Sequence, residues 1–335
     1  MKIPVLIDLE TIPPEDPNFE GLTEAVRESM EFHVIASLHD LGYDAPVVPF
    51  GPDPLHTLRT LLDLKPDLVF NLTEHFRGDR RQDANIAGLL DLVGLPYTGS
   101  GPGTLILCRD KILCKRVLGH HRIRVPHFFS VPPGRNVPKG RRNFPLIVKP
   151  ALEDGSDGIS MASIVNDPAE LATRVAMIHE RMKQPAICEE YIEGQELYVG
   201  LIGNERLTAF PAREIRFGRT GDGGPSIATS RVKWDEAYRE KWAITYAHAD
   251  LPPDLERRVA HTSKKIYRHL QLRDYARIDL RLSPQGDIVF LEANPNPNIS
   301  AGEDLAEAAE RTGIEHTQLI EKLVAIALKR VSATA

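Results

Sequence analysis

The chain has 335 residues, 42% hydrophobic and 26% charged, the composition of an ordinary globular protein rather than a disordered or fibrous one. Single cores stop growing near about 250–300 residues, so two or three packed lobes are expected. A net charge of −6 argues against a general nucleic-acid binder, and three cysteines (Cys108, Cys114, Cys188) without CxxC spacing give neither a disulfide framework nor a zinc site.

The N-terminal apolar run is too short for an export signal, and no apolar stretch approaches the roughly 18 residues of a membrane span. A cytoplasmic protein with reduced thiols is expected. Residues 3–7 fit a short buried strand. Helical periodicity follows over 22–41, with Leu22, Val26, Met30, Val34, Ile35, Leu38 and Leu41 on one face and Gly42 as a stop. A strand over 46–50, a helix over 54–64, a strand over 68–72 and a helix over 83–93 continue the pattern. This βαβαβ rhythm implies a parallel sheet with ligands near the strand carboxyl ends.

A helix over 104–119 precedes a strand entered through Pro126. Strands over 144–151 and around 159–164 flank a glycine-bearing loop, and a helix over 168–182 leads to a strand over 186–192. After Gly194 the pattern becomes antiparallel. Residues 217–250 show no clear periodicity, as functional loops often do. A helix over 254–270, a hairpin ending at Ser300 and a helix over 314–330 finish the chain.

Several residues carry candidate chemistry. Lys111 opens a helix and Lys149 closes an apolar strand. A buried ammonium needs an anion, either an acidic side chain or a bound phosphate. In the loop EDGSDGIS, Gly155 and Gly158 permit close backbone approach and Ser156 and Ser160 add hydroxyls, the makings of a phosphate cradle. In CEEYIEGQE, a strand exit with Glu189, Glu190 and Ile192 would suit a nucleotide base, and Glu196 a ribose; solvated glutamates on a surface strand are the competing reading. In RIDLRLSPQGDIVFLEANPNPNIS, Asp279, Glu292 and Asn294 offer two carboxylates and an amide, an oxygen set suited to magnesium. The apolar run entering Glu292 argues that the strand is buried.

The order LVGLPYTGS, RDK, IVKPA with EDGSDGIS, EEYIEGQE, RIDLRL and FLEANPNPN resembles the ATP-grasp superfamily, and within it the D-alanine–D-alanine ligases, from about Phe70 to Ser300. The resemblance implies an α/β protein of ATP-grasp fold in three lobes: a Rossmann-like domain with a parallel sheet (1–103), a central subdomain (104–192), and a C-terminal subdomain with the hairpin and a lid loop (193–335). The two ATP-binding lobes are α+β. It implies Lys111 and Lys149 on the ATP phosphates, with Gly155 and Ser156 in the cradle. Glu189, Glu190 and Ile192 then lie at adenine and Glu196 at ribose. Asp279, Glu292 and Asn294 hold magnesium (or manganese), Arg277 stabilises an oxyanion, and Lys233 reaches the γ-phosphate from the lid. The implied reaction joins a small-molecule carboxylate and an amine through an acyl phosphate, in a homodimer with no nucleic-acid or membrane partner.

The substrate half departs from that pattern. The first strand, LIDLETIPPED, lacks the family's Gly-Gly-x-Ser motif. Gly155 stands for a serine and Trp234 for a tyrosine. Asn298 replaces a glycine, and Glu303 lies near the place of a serine that holds the second substrate's carboxylate. The expectation is therefore a ligase of other substrates, with a divergent D-alanine–D-alanine ligase as runner-up. A phosphotransferase or a non-catalytic nucleotide-binding protein are the readings of other classes. Arg277 argues against simple binding, unless it pairs with Asp279 or Glu292. Glu74 and His75, at the end of the third strand, are candidate substrate contacts. Arg213, Arg216, Arg219 and Arg231 form a basic stretch that fits either an acidic substrate or solvent.

Overall fold

The computed structural model describes residues 1–218 and 227–334. Its first sheet joins β1 (Val5–Asp8), β2 (Val47–Phe50) and β3 (Phe70–Asn71), all parallel in the order β2-β1-β3. All four residues of β1 are buried, as a strand covered on both faces requires. The helical run over 22–41 is two helices, α1 (Glu24–Arg27) and α2 (Met30–Asp40). Ser29 interrupts it, its hydroxyl accepting from the Phe32 amide and so capping α2. Helices α3 (Pro54–Leu64) and α4 (Asp83–Leu92) cover the sheet's other face, where Leu58, Leu61, Ala87 and Leu90 pack with Leu6 and Val48.

The helix expected over 104–119 is likewise two, α5 (Pro102–Arg109) and α6 (Lys111–His120). Asp110 separates them in extended conformation, and its carboxylate accepts from the Ile112 and Leu113 amides. The second sheet has the order β4 (Phe128–Val131), β7 (Ala186–Glu190), β5 (Leu146–Pro150), β6 (Ile164–Val165), backed by α7 (Pro168–Met182).

The third sheet runs β11 (Ile244–His248), β10 (Arg213–Phe217), β8 (Gln195–Ile202), β12 (Tyr275–Leu282), β13 (Ile288–Pro295), with β9 (Thr208–Ala209) beside β8. Residues 227–250, expected to be irregular, form α8 (Ser230–Trp234), α9 (Glu236–Trp242) and β11. These pieces are too short to show a period. Their order comes from the caps Thr229 and Asp235 and from burial of Val232 and Ile244 against Tyr198. Helix α10 (Pro253–His269) packs on β8 and β12.

Two C-terminal helices follow, α11 (Asp304–Glu310) and α12 (His316–Thr334). The sequence shows α12 but not α11, which packs on β8 of the third sheet. Leu319, Ile320, Leu323 and Val324 of α12 pack on the first sheet, against Val5, Ile7, Val34 and Leu38. Among the described residues no helix is long and apolar enough to cross a membrane.

Gly194 links β7 to β8 with φ +131°, and a Cβ there would run into the carbonyl oxygen of Leu282. Gly194→Ala is expected to lower stability by about 2 kcal/mol or more, read as a shifted urea midpoint, because both the backbone and the contact resist a side chain. An unchanged midpoint would contradict this packing.

Candidate active site

The floor of the site is the β12–β13 hairpin. From the turn at Gly286 the strands pair in simple register as far as Leu280 with Phe290, and then the register slips so that Asp279 faces Glu292. Leu291 is the extra residue. Without this bulge Glu292 would lie opposite Ile278 and point away from Asp279; with it, Asp279, Glu292 and Asn294 share one face. The bulge also frees the Leu291 carbonyl, which accepts from Lys115 Nζ at 2.6 Å.

The two carboxylates of that face are neutralised separately. Asp279 takes Arg277 Nε at 2.8 Å and Nη2 at 3.1 Å, and accepts from Asn294 Nδ2 at 3.1 Å. Arg277 pairs with Asp279 rather than Glu292, and its Nη1 also lies 3.6 Å from Asp304. Glu292 pairs with Lys111, which also donates to the Glu153 carbonyl. Burial pushes both acids up. Arg277 offsets this only in part, leaving Asp279 raised, whereas Lys111 and Lys233 outweigh it and hold Glu292 at about 2. Two carboxylates and an amide at the end of a strand pair could hold a hard cation that keeps waters and binds phosphate oxygens. Among the described residues no three His, Cys, Asp or Glu gather as a metal set.

Beside the floor lies a narrow cleft between the second and third sheets, lined by Lys149, Glu190, Ile192, Glu196 and Lys233 among others. Lys149 and Lys115 share one carboxylate, Glu189, at 2.9 and 3.0 Å. Glu189 is fully buried. It nonetheless lines the cleft, with its carboxylate enclosed by the two ammonium groups. Burial raises the Glu189 carboxyl, but the two lysines together bring it to about 2. Lys115 escaped the sequence reading, although it lies four residues beyond Lys111 and so on the same helix face.

Glu190 accepts from the His127 amide at 3.3 Å, and its own amide donates to the His127 carbonyl. Glu196 accepts from Arg281 Nη2 at 2.9 Å and the Tyr198 hydroxyl at 3.0 Å. Arg281 was also missed, though strand alternation puts it on the face of Asp279.

Gly155 and Ser156 both adopt positive φ, +57° and +63°. The Ser156 hydroxyl donates to the Ala228 carbonyl at 2.8 Å, and the Ser230 amide to the Ile159 carbonyl. The loop is thus fastened to the segment that carries Lys233. It is also tied to the first lobe, since Asp154 pairs with Arg80 and Arg109, and Arg109 with Asp83.

A larger cavity of about 590 Å³ adjoins this cleft; Lys233 and Glu292 line both. Glu74, Gly155, Asn298 and Glu303 reach it. His75 does not: its Nε2 lies 3.6 Å from Asp8, whose carboxylate accepts from the amides of Glu74 and His75. Burial drives the Asp8 carboxyl to about 6. Asn298 Oδ1 is used locally, accepting from the Ser300 amide and hydroxyl. The basic stretch is paired rather than open: Arg213 with Asp304 and Glu307, Arg216 with Glu214, Arg231 with Asp235. Arg219 and the side chain of Trp234 lie outside the described residues.

A parallel sheet, two antiparallel sheets and a lysine-lined cleft between them define the ATP-grasp class. Residues 136–325 match the family model "D-ala D-ala ligase C-terminus". An uncharacterised Sinorhizobium fredii protein, y4sG, is 31% identical over 89% of this chain and 87% of its own length. The D-alanine–D-alanine ligase of Bordetella petrii is 30% identical over 83% and 82%. The crystal structure of a Bacillus anthracis D-alanine–D-alanine ligase complexed with ATP superposes with a TM-score of 0.76 over the whole of both chains at 20% identity. The chain belongs to the D-alanine–D-alanine ligase family of ATP-dependent carbon–nitrogen ligases.

Proposed function

We propose that the protein is a magnesium-dependent carboxylate–amine ligase that activates its carboxylate as an acyl phosphate, with substrates other than two D-alanines. The junction of the two cavities at Lys233 and Glu292 carries this reading, because the phosphate end of a nucleotide in the cleft would open into the substrate chamber.

In this reading Lys111 and Lys149 bind phosphate oxygens, with the amides of Gly155 and Ser156 as cradle. The strand exit at Glu190 and Ile192 receives the base. Glu196, oriented by Arg281 and Tyr198, receives the ribose, and Glu189 holds Lys149 in position. Asp279, Glu292 and Asn294 would hold the cation, which supplies neutralisation of charge on the transferring phosphoryl group. Lys233 covers the γ-phosphate, and Arg277 faces the oxyanion of the second step. The segment fastened by Ser156 excludes water from the acyl phosphate. Lobe borders near residues 103 and 192, a homodimer and a cytoplasmic location belong to the same proposal.

Hydroxylamine tests it. An amino acid or small carboxylate incubated with the protein, ATP and Mg²⁺ should give a hydroxamate with one ADP released for each. A stable phosphorylated product with no hydroxamate from any donor would instead indicate phosphotransfer. D-alanyl-D-alanine formed from D-alanine alone, at rates matching other pairs, would restore the runner-up.

A further inference from the structure

The wall of the larger cavity nearest Arg277 is poorly built for a carboxylate. Arg277 is engaged by Asp279, and its Nη1 lies 3.6 Å from Asp304. Asp304 also takes Arg213 Nε at 3.0 Å, and Arg213 Nη1 reaches Glu307 at 3.1 Å. Neither guanidinium presents a free fork, the geometry that recognises carboxylates. Arg239 has no carboxylate within ion-pair distance among the described residues, but it donates to the Lys233 carbonyl at 2.8 Å. Next to Asp304, Glu303 opens onto the cavity with no cation within ion-pair distance among the described residues. Burial first, and Asp304 second, push its carboxyl up despite Arg277, Arg213 and Arg239 nearby.

An α-amino acid acceptor carries its carboxylate one carbon from the attacking nitrogen. Held for attack beside Arg277, that carboxylate would meet Glu303 and Asp304. A cationic group in the same place would be attracted by both. Resting on the ligase reading above, we propose that the acceptor is an amine with no adjacent carboxylate and with a second, cationic nitrogen, the α,ω-diamine class, and that Glu303 determines this specificity. The neutral nitrogen attacks the acyl carbon; the C–N bond forms as the C–O bond to phosphate breaks. Inorganic phosphate leaves and the nitrogen loses a proton to solvent, while the distal ammonium stays on Glu303.

The test uses the full chain, ATP, Mg²⁺ and the donor that gives most hydroxamate. Short α,ω-diamines including 1,4-diaminobutane are compared with 1-aminobutane, D-alanine and L-alanine, reading phosphate release and the amide by mass. The best diamine should exceed the others in kcat/KM by about tenfold or more. Equal or better use of either alanine, or no amide from any diamine, overturns the proposal while hydroxamate formation leaves the ligase reading standing. Absence of hydroxamate from every donor removes the ligase reading itself and this proposal with it. Glu303→Ser and the conservative Glu303→Gln should each raise KM for the diamine by roughly tenfold with KM for ATP unmoved. An unchanged KM for the diamine in both variants also overturns it.

Discussion

Glu292→Gln is expected to reduce ATP turnover by about 10³-fold or more while the protein stays folded. Two losses coincide. The amide is a poorer ligand for a hard cation than the carboxylate it replaces, and Lys111 loses its counter-charge. Lys111 is buried, and burial disfavours its ammonium; Glu292 is the chief group that more than restores it. Without that carboxylate the lysine keeps only the Glu153 carbonyl and a neutral amide. Stability should fall too, by less than the about 3–5 kcal/mol typical of a fully orphaned buried charge, since the glutamine oxygen still accepts. ADP release measured beside a urea denaturation curve separates the effects. Unchanged ADP release in a folded variant would exclude Glu292 from the chemistry.

Glu189→Gln is expected to be the more damaging to the fold. One carboxylate there holds the buried Lys115 and the half-buried Lys149, and neither lysine has another acid within ion-pair distance among the described residues. A loss of about 3–5 kcal/mol is expected from removing one partner of a buried ionic cluster. The sign of the pH dependence follows from the folded carboxyl lying at about 2, below its ordinary 4.5. A depressed acid contributes stability that is complete above about 4.5 and fades as pH falls from there toward 2. The contribution is on the order of 3 kcal/mol. In the variant this part of the acid limb disappears, and the part owed to Glu292, depressed over the same window, remains. Urea midpoints between pH 3 and 7 read both. An acid limb identical to that of the unaltered protein would show that Glu189 does not hold these lysines.

Much of the hairpin and its strand and helix neighbours was legible because strands, turns and amphipathic helices follow short-range rules. The alternation of Ile278, Leu280 and Leu282, the turn before Gly286 and the apolar run into Glu292 place the two strands. The bulge at Leu291 was not legible, since nothing in the residue types marks where an extra residue is inserted, yet it decides which face Glu292 occupies. Lys115 and Arg281 read as ordinary helix and strand charges until their partners arrive from β7 and β8, far away in sequence. The same holds for Asp304, whose two arginines come from β10 and β12. Glu189 is the converse case: a pair of glutamates ending a strand looks solvated unless the lysines beneath are known. The short α8 and α9 were hidden because each is under two full periods or close to it, and caps rather than amphipathicity define them.

The placement of α12 has a mechanical meaning. The chain starts in the first sheet and ends by packing on it, and Asp274, on the approach to β12, accepts from the Gly99 amide while pairing with Arg330 of α12. The first and third lobes are therefore laced together at both ends of the sequence, whereas the second sheet belongs to one unbroken stretch of chain between them. Any widening of the cleft would move the second sheet against the other two, and would first have to break the ion pair of Asp154 with Arg80.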